Sequence, residues 1–186
     1  LPSLMQMRQI FVDTSFWVAI LDSNDQHHNA AKQASDDLKR LGPVLLLTTE
    51  FILGEILNQF SGFGEVWRLK AAEAVEKILQ NPNVRILPRT RDVFSKGVLF
   101  YKSRLDKNYS FVDCVTMHAM KENAMTEILS SDHHFEQEGF IRMLEAWRTV
   151  SLDLGRAGGR VFLSCAGAGF DAEVVRRLHE RRKGSI

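Results

Sequence analysis

Four acidic residues stand in segments where an acid needs a reason. Asp13 closes the apolar run Ile10-Phe11-Val12, and Asp132 closes Ile128-Leu129-Ser130-Ser131. Glu55 is embedded in the apolar helical pattern Phe51-Ile52-Leu53-Gly54-Glu55-Ile56-Leu57, and Asp113 follows Ser110-Phe111-Val112 at the start of another. Carboxylates gathered within a few Å repel one another unless a proton or a cation neutralises them. Oxygen-only ligands suit Mg²⁺ or Mn²⁺, which keep waters and accept phosphate oxygens. Such an ion polarises a phosphodiester and lowers the pKa of bound water. The implied chemistry is metal-dependent hydrolysis of a phosphoester.

Each acid also has a plainer explanation. Asp113 lies three residues after Ser110, so the pair resembles a capping box, with Asp where Glu or Gln is preferred. An acid in a first helical turn also complements the helix dipole. Glu50 competes with Glu55 for the fourth place, but its position in a first turn is accounted for by the dipole. Asp132-His133-His134 superficially matches the Asp-His-His string of another phosphoesterase class, yet the further Asp and His clusters of that class are missing. The two histidines read as rim or substrate-side residues. Asp13-Thr14-Ser15 lacks the second Asp that a phosphoaspartate-forming phosphatase uses as its acid, and no Walker-type glycine loop is present.

The elements that must position these acids follow from apolar periodicity. Short apolar runs alternate with longer helical patterns, as in a parallel sheet covered by helices. Strands are expected at 9–12, 44–47, 84–87 and 127–130, with a weaker one at 141–144. Helices are expected at 25–41, 50–60, 64–79, 90–105 and 111–122, with Thr90 and Ser110 as N-caps. In such a sheet, ligands bind beyond the carboxyl ends of the strands, near the point where strand order reverses. Asp13 and Asp132 stand at two of those ends, Asp113 at a helix N-terminus on the same rim, and Glu55 where it can lean over that rim.

A chain of 186 residues with net charge +1 and 45% hydrophobic residues fits one ordinary domain, with room for an appendage. The neutral balance excludes a polycation, so nucleic-acid contact requires a local patch. Arg85, Arg89, Arg91, Lys96, Lys102, Arg104 and Lys107 form one basic stretch, which reads first as a solvated helix face. Phe16, Trp17, Phe51, Phe60 and Trp67 read as packing residues. The two cysteines, Cys114 and Cys165, make neither a disulfide framework nor a zinc spacing. No apolar run approaches the roughly 20 residues of a membrane span. Met5 and Met7 are more natural starts than Leu1, and the residues before the first strand are too few for a signal peptide. A cytosolic location is expected.

Taken together, Phe11-Val12-Asp13-Thr14-Ser15-Phe16-Trp17, Thr49-Glu50-Phe51-Ile52-Leu53-Gly54-Glu55-Ile56-Leu57-Asn58, Tyr109-Ser110-Phe111-Val112-Asp113-Cys114 and Leu129-Ser130-Ser131-Asp132-His133-His134-Phe135 resemble a PIN domain across about residues 8–145. As an ordered set the motifs are specific, although none is so alone. The resemblance implies a Rossmann-like α/β/α sandwich around a parallel sheet of four to five strands, with Mg²⁺- or Mn²⁺-dependent ribonuclease activity. It implies Asp13, Glu55, Asp113 and Asp132 as the metal-site acids, Ser15 as the hydroxyl beside them and Asp106 as a secondary acid. Many small bacterial members are VapC-type toxins held inactive by an antitoxin and forming homodimers. RNA, an antitoxin and a second copy are therefore the partners it implies. A housekeeping RNA-processing nuclease with the same site and a non-catalytic protein-binding module on the same fold are the alternatives.

Composition changes near residue 150. Residues 151–186 hold seven Lys/Arg against four Asp/Glu and a cluster of glycines, so a nuclease domain at 1–148 and an appendage at 149–186 are expected. The stretch from Leu152 to Val175 resembles a fragment of the bacterial diacylglycerol-kinase-like lipid kinases. That family's nucleotide-binding glycine motif is absent, so no kinase activity is expected. The plainer alternative is a strand, a glycine turn and a basic amphipathic helix of unrelated origin.

Overall fold

A computed structural model describes residues 7–40, 42–146, 153–157 and 160–164. The chain divides into two compact units, Leu1–Arg148 and Thr149–Ile186. In the first unit, five parallel strands form one sheet: β1 (Arg8–Val12), β2 (Val44–Thr49), β3 (Val84–Leu87), β4 (Glu127–Leu129) and β5 (Ile141–Arg142). Their order is β3-β2-β1-β4-β5. The chain first winds outward from β1 to β3, then returns to place β4 on the other side of β1. Strand order therefore reverses between β1 and β4, where a parallel sheet opens a crevice.

The strands are linked by α1 (Thr14–Leu21), α2 (His28–Arg40), α3 (Glu50–Gln59), α4 (Glu65–Gln80), α5 (Arg91–Lys102) and α6 (Phe111–Glu122). The short α7 (His134–Gln137) and α8 (Met143–Ala146) flank β5. Side chains alternate across a strand, and β1 shows the consequence. Phe11 points into a core with Leu47, Ile52, Ile56, Met117 and Ile128, whereas Ile10 and Val12 point into a second core with Phe16, Ala31, Ala34 and Leu129. Helices α3, α4 and α6 cover one face, and α1, α2 and α8 cover the other. Each fully buried residue of this kind contributes about 1.5–3 kcal/mol over its exposed state, so β1 is anchored from both sides.

The expected strands and long helices form, with three differences. Helix α1 was not expected, because Phe16-Trp17-Val18-Ala19-Ile20-Leu21 is apolar throughout and has no readable period. Trp17 packs against both cores, so α1 has no fully polar face to mark it. Helix α2 begins at His28 rather than residue 25, since Asp25 accepts the His27 N–H in a turn (2.7 Å) and His28 Nδ1 meets the Ala19 carbonyl at 2.7 Å. The segment expected as a strand at 141–144 pairs only through Ile141–Arg142 and then turns helical.

In the second unit, β6 (Asp153–Ala157) and β7 (Arg160–Ser164) pair antiparallel. The basic helix expected beyond them, and most of the segment resembling a lipid kinase, lie outside the described residues.

Candidate active site

Asp13 sits at the last position before α1 and is 5% exposed. Its backbone N–H donates to the Leu129 carbonyl (3.1 Å), which ties the end of β1 to the end of β4. Its Oδ2 accepts from Ser15 Oγ (2.8 Å) and Ser130 Oγ (2.9 Å). The two hydroxyls also organise the turn after β4: Ser15 Oγ accepts the Ser131 N–H (3.0 Å) and Ser130 Oγ accepts the Asp132 N–H (2.9 Å). Asp132 then accepts the His134 N–H (2.9 Å), and Arg142 Nη1 donates to the Ser131 carbonyl (2.7 Å).

Asp113 arrives from the other direction, on the first turn of α6. Ser110 Oγ accepts the Asp113 N–H (3.0 Å) and Asp113 Oδ2 accepts the Ser110 N–H (2.8 Å), so the expected capping box forms. Asp113 is thus fixed by its cap and still faces the crevice. Glu55 projects from α3 and accepts a short hydrogen bond from Thr14 Oγ1. Glu50 is used elsewhere, accepting the Arg89 N–H at 2.6 Å. That leaves Glu55 as the α3 carboxylate at this place.

All four acids line one cavity of about 390 Å³, together with Thr14, Ser15, Gln59, Ser110 and the segment Asp25-Gln26-His27. Among the described residues, no lysine or arginine lines it. The electrostatics follow from that lack. Burial pushes the Asp113 carboxyl up to about 6, with Asp13 and Asp132 adding repulsion against its Ser110 hydrogen bonds. Burial also raises Asp13, opposed by Ser15 and Ser130, and raises Glu55, opposed by Thr14 and reinforced by Asp13. Carboxyls raised by burial and by one another, on a rim whose described residues include no lysine or arginine, are what an oxygen-preferring divalent cation neutralises. Beside them the ligand atoms of Asp132, His133 and His134 lie within 4.8 Å of one another, a clustered Asp/His site also compatible with a divalent metal.

Asp106 lies apart. It is exposed on the turn between α5 and α6, with Lys107 Nζ 3.7 Å away, and does not line the cavity. The basic stretch is likewise partly committed: Lys96 pairs with Asp92 and Glu122, and Arg104 with Glu138. Ser130, Arg142, Thr14 and the 25–27 turn escaped the sequence reading. The only signal for Ser130 was a small polar residue closing an apolar strand, since its partner Asp13 is 117 residues away.

A parallel α/β sheet with a carboxylate-ringed crevice at its switch point is the arrangement of a phosphoesterase that works through a divalent cation. Within that class the chain belongs to the PIN-domain family, whose model matches residues 10–140. It is 29% identical over 137 residues to the 23S rRNA-specific endonuclease VapC20 of Mycobacterium tuberculosis, in each of two strains, covering 72% of this chain and 97% of the relative. It also superimposes on the crystal structure of VapC20, described as a Sarcin-Ricin loop cleaving toxin, with a TM-score of 0.62 and 26% identity. That match covers 71% of this chain and 96% of the other. The family match ends at residue 140, and the comparisons lend no support to the lipid-kinase resemblance of the tail.

Proposed function

We propose that this chain is a metal-dependent endoribonuclease acting as the toxin of a toxin–antitoxin pair, with its nuclease in the unit ending at Arg148. The observation that carries this reading is the convergence of Asp13, Glu55, Asp113 and Asp132 on one cavity in a chain of the PIN-domain family. A Mg²⁺ or Mn²⁺ ion supplies charge neutralisation at the scissile phosphate and an acidified water. Asp13, Asp113 and Asp132 would hold it. Asp13 is pre-oriented for this by Ser15 and Ser130, and Asp113 by its capping box. Glu55 completes the cluster, as a ligand through water or by orienting the attacking water, with Thr14 fixing its carboxylate.

By its similarity to VapC20, the substrate class is ribosomal RNA. The remaining partners are a small antitoxin protein and a second copy of the chain, and the location is the cytoplasm, where ribosomes are. Among the described residues, no helix is long and apolar enough to cross a membrane. The test is incubation with 23S rRNA and with total RNA in Mn²⁺, followed by mapping of the new ends. A discrete cut that disappears in Asp13→Asn is expected. Full cleavage by that variant would defeat the reading, and growth arrest relieved by a neighbouring small gene would establish the toxin role.

A further inference from the structure

We propose that His134 gives this cation site a nitrogen donor, so that the centre is a mixed oxygen–nitrogen site favouring first-row transition ions over Mg²⁺. The inference deepens the reading above and rests on it. His134 Nδ1 is buried, 3.1 Å from Asp132 Oδ2 and 3.7 Å from Asp113 Oδ2. Despite that proximity it has no hydrogen-bond partner among the described residues. Asp132 Oδ1 instead accepts the His134 backbone N–H, and Asp113 Oδ2 accepts the Ser110 backbone N–H.

An imidazole nitrogen in this position is in conflict. Unprotonated, it sets its lone pair against two carboxylate oxygens; protonated, it would pair ionically with Asp132 and Asp113 without a hydrogen bond to either. A buried polar atom without a hydrogen bond is unfavourable, and a cation shared by the nitrogen and the carboxylates removes the conflict. The ring is held in place. It packs on Tyr109 with centroids 5.1 Å apart, and its backbone is fixed by the Asp132 turn. His134 is not itself a lining residue of the cavity; it meets the site through Asp113 and Asp132, which are. His133 is the weaker candidate, because its side chain is 67% exposed and its Nδ1 is 3.6 Å from Asp132 Oδ1.

The chemistry predicts selectivity. Mg²⁺ favours oxygen ligands, whereas imidazole suits transition ions. The test loads the full chain with Mn²⁺ and records pulsed EPR, where a directly bound imidazole imprints a ¹⁴N modulation on the echo. That modulation is expected in the wild type and in His133→Gln, and lost in His134→Gln. The ratio of Mn²⁺ to Mg²⁺ affinity, by competition calorimetry, should fall about tenfold in His134→Gln. Bound Mn²⁺ without a ¹⁴N modulation in the wild type would overturn the proposal while leaving the acid site intact, and so would an unchanged affinity ratio. Failure of the wild type to bind Mn²⁺ at all would overturn this proposal and the metal-dependent reading beneath it. The wild-type spectrum decides the matter even if a variant fails to fold.

Discussion

Asp13 is kept in place by two hydroxyls and a tight turn while being almost wholly removed from water. Those influences compete. Burial dominates and raises its carboxyl, so its charged form burdens the metal-free fold. Asparagine keeps the shape and the N-cap role without the charge. Asp13→Asn should therefore melt at the same temperature as wild type or higher without metal, yet lose at least about a hundredfold in RNA cleavage. A melt and a cleavage assay on the same sample separate the two effects. Asp113 gives the same logic a pH axis. Its carboxyl titrates near 6 in the fold against an ordinary value of 3.8, so between those values the native state binds more protons than the unfolded chain. Stability must then fall as pH rises through that window, on the order of 2–3 kcal/mol for this group alone. Urea unfolding in EDTA at pH 4.5 and pH 7 should show the decline, and Asp113→Asn should flatten it.

Helices α5 and α6 meet so closely at Gly97 that a Cβ there would lie 2.5 Å from Val115 Cγ2 and 3.3 Å from Phe111 Cε2. Val115 is β-branched and stiff within its helix, so it cannot swing away. Gly97→Ala gains about 1 kcal/mol of helix propensity but should lose about 1–3 kcal/mol to overpacking. The same push reaches the first turn of α6, where Asp113 sits. Denaturant melts should show net destabilisation, partly rescued when Val115→Ala is added. Glu138 binds the end of α7 to the α5–α6 side in a second way. It is mostly buried, receives Arg104 Nε (2.6 Å) and Lys121 Nζ (2.8 Å), and Arg104 holds its carboxyl down at about 2. Its contribution is present above the ordinary glutamate range and fades as pH falls toward 2. Elements of this kind were readable where a local signal marked them: Ser110 announced α6 at its observed bounds, and α5 followed Thr90. Helix α1 was not readable, because a helix apolar all round shows no period. The same division holds within the candidate site. The acids proposed for it could be singled out because each interrupts an apolar pattern, whereas Ser130 reaches Asp13 across 117 residues and Arg142 reaches Glu136 and the Ser131 carbonyl. Neither kind of partnership leaves a periodic trace.

The first unit holds both cores, the five-stranded sheet and the whole carboxylate cavity. The family match, residues 10–140, also falls wholly inside it. Among the described residues, nothing that the proposed chemistry needs is drawn from the second unit. A chain ending after Arg148 should therefore fold, bind Mn²⁺ and cut RNA at the same positions as the full chain. Metal binding supplies a quantitative form of that expectation. An ion at a hundred times its Kd stabilises a fold that alone binds it by about 2.7 kcal/mol, which for a chain of this size raises the melting temperature by about 5–10 °C. The shift reports on the carboxylates and not on total stability. The stabilisation free energy, obtained from the shift and each chain's own unfolding entropy, should thus be equal in the shortened and full-length chains even if their metal-free melting temperatures differ. Differential scanning calorimetry of both chains, each with EDTA and with saturating Mn²⁺, makes the comparison. A shortened chain that melts cooperatively but shows no Mn²⁺ shift would place part of the metal site beyond Arg148, against the division drawn here.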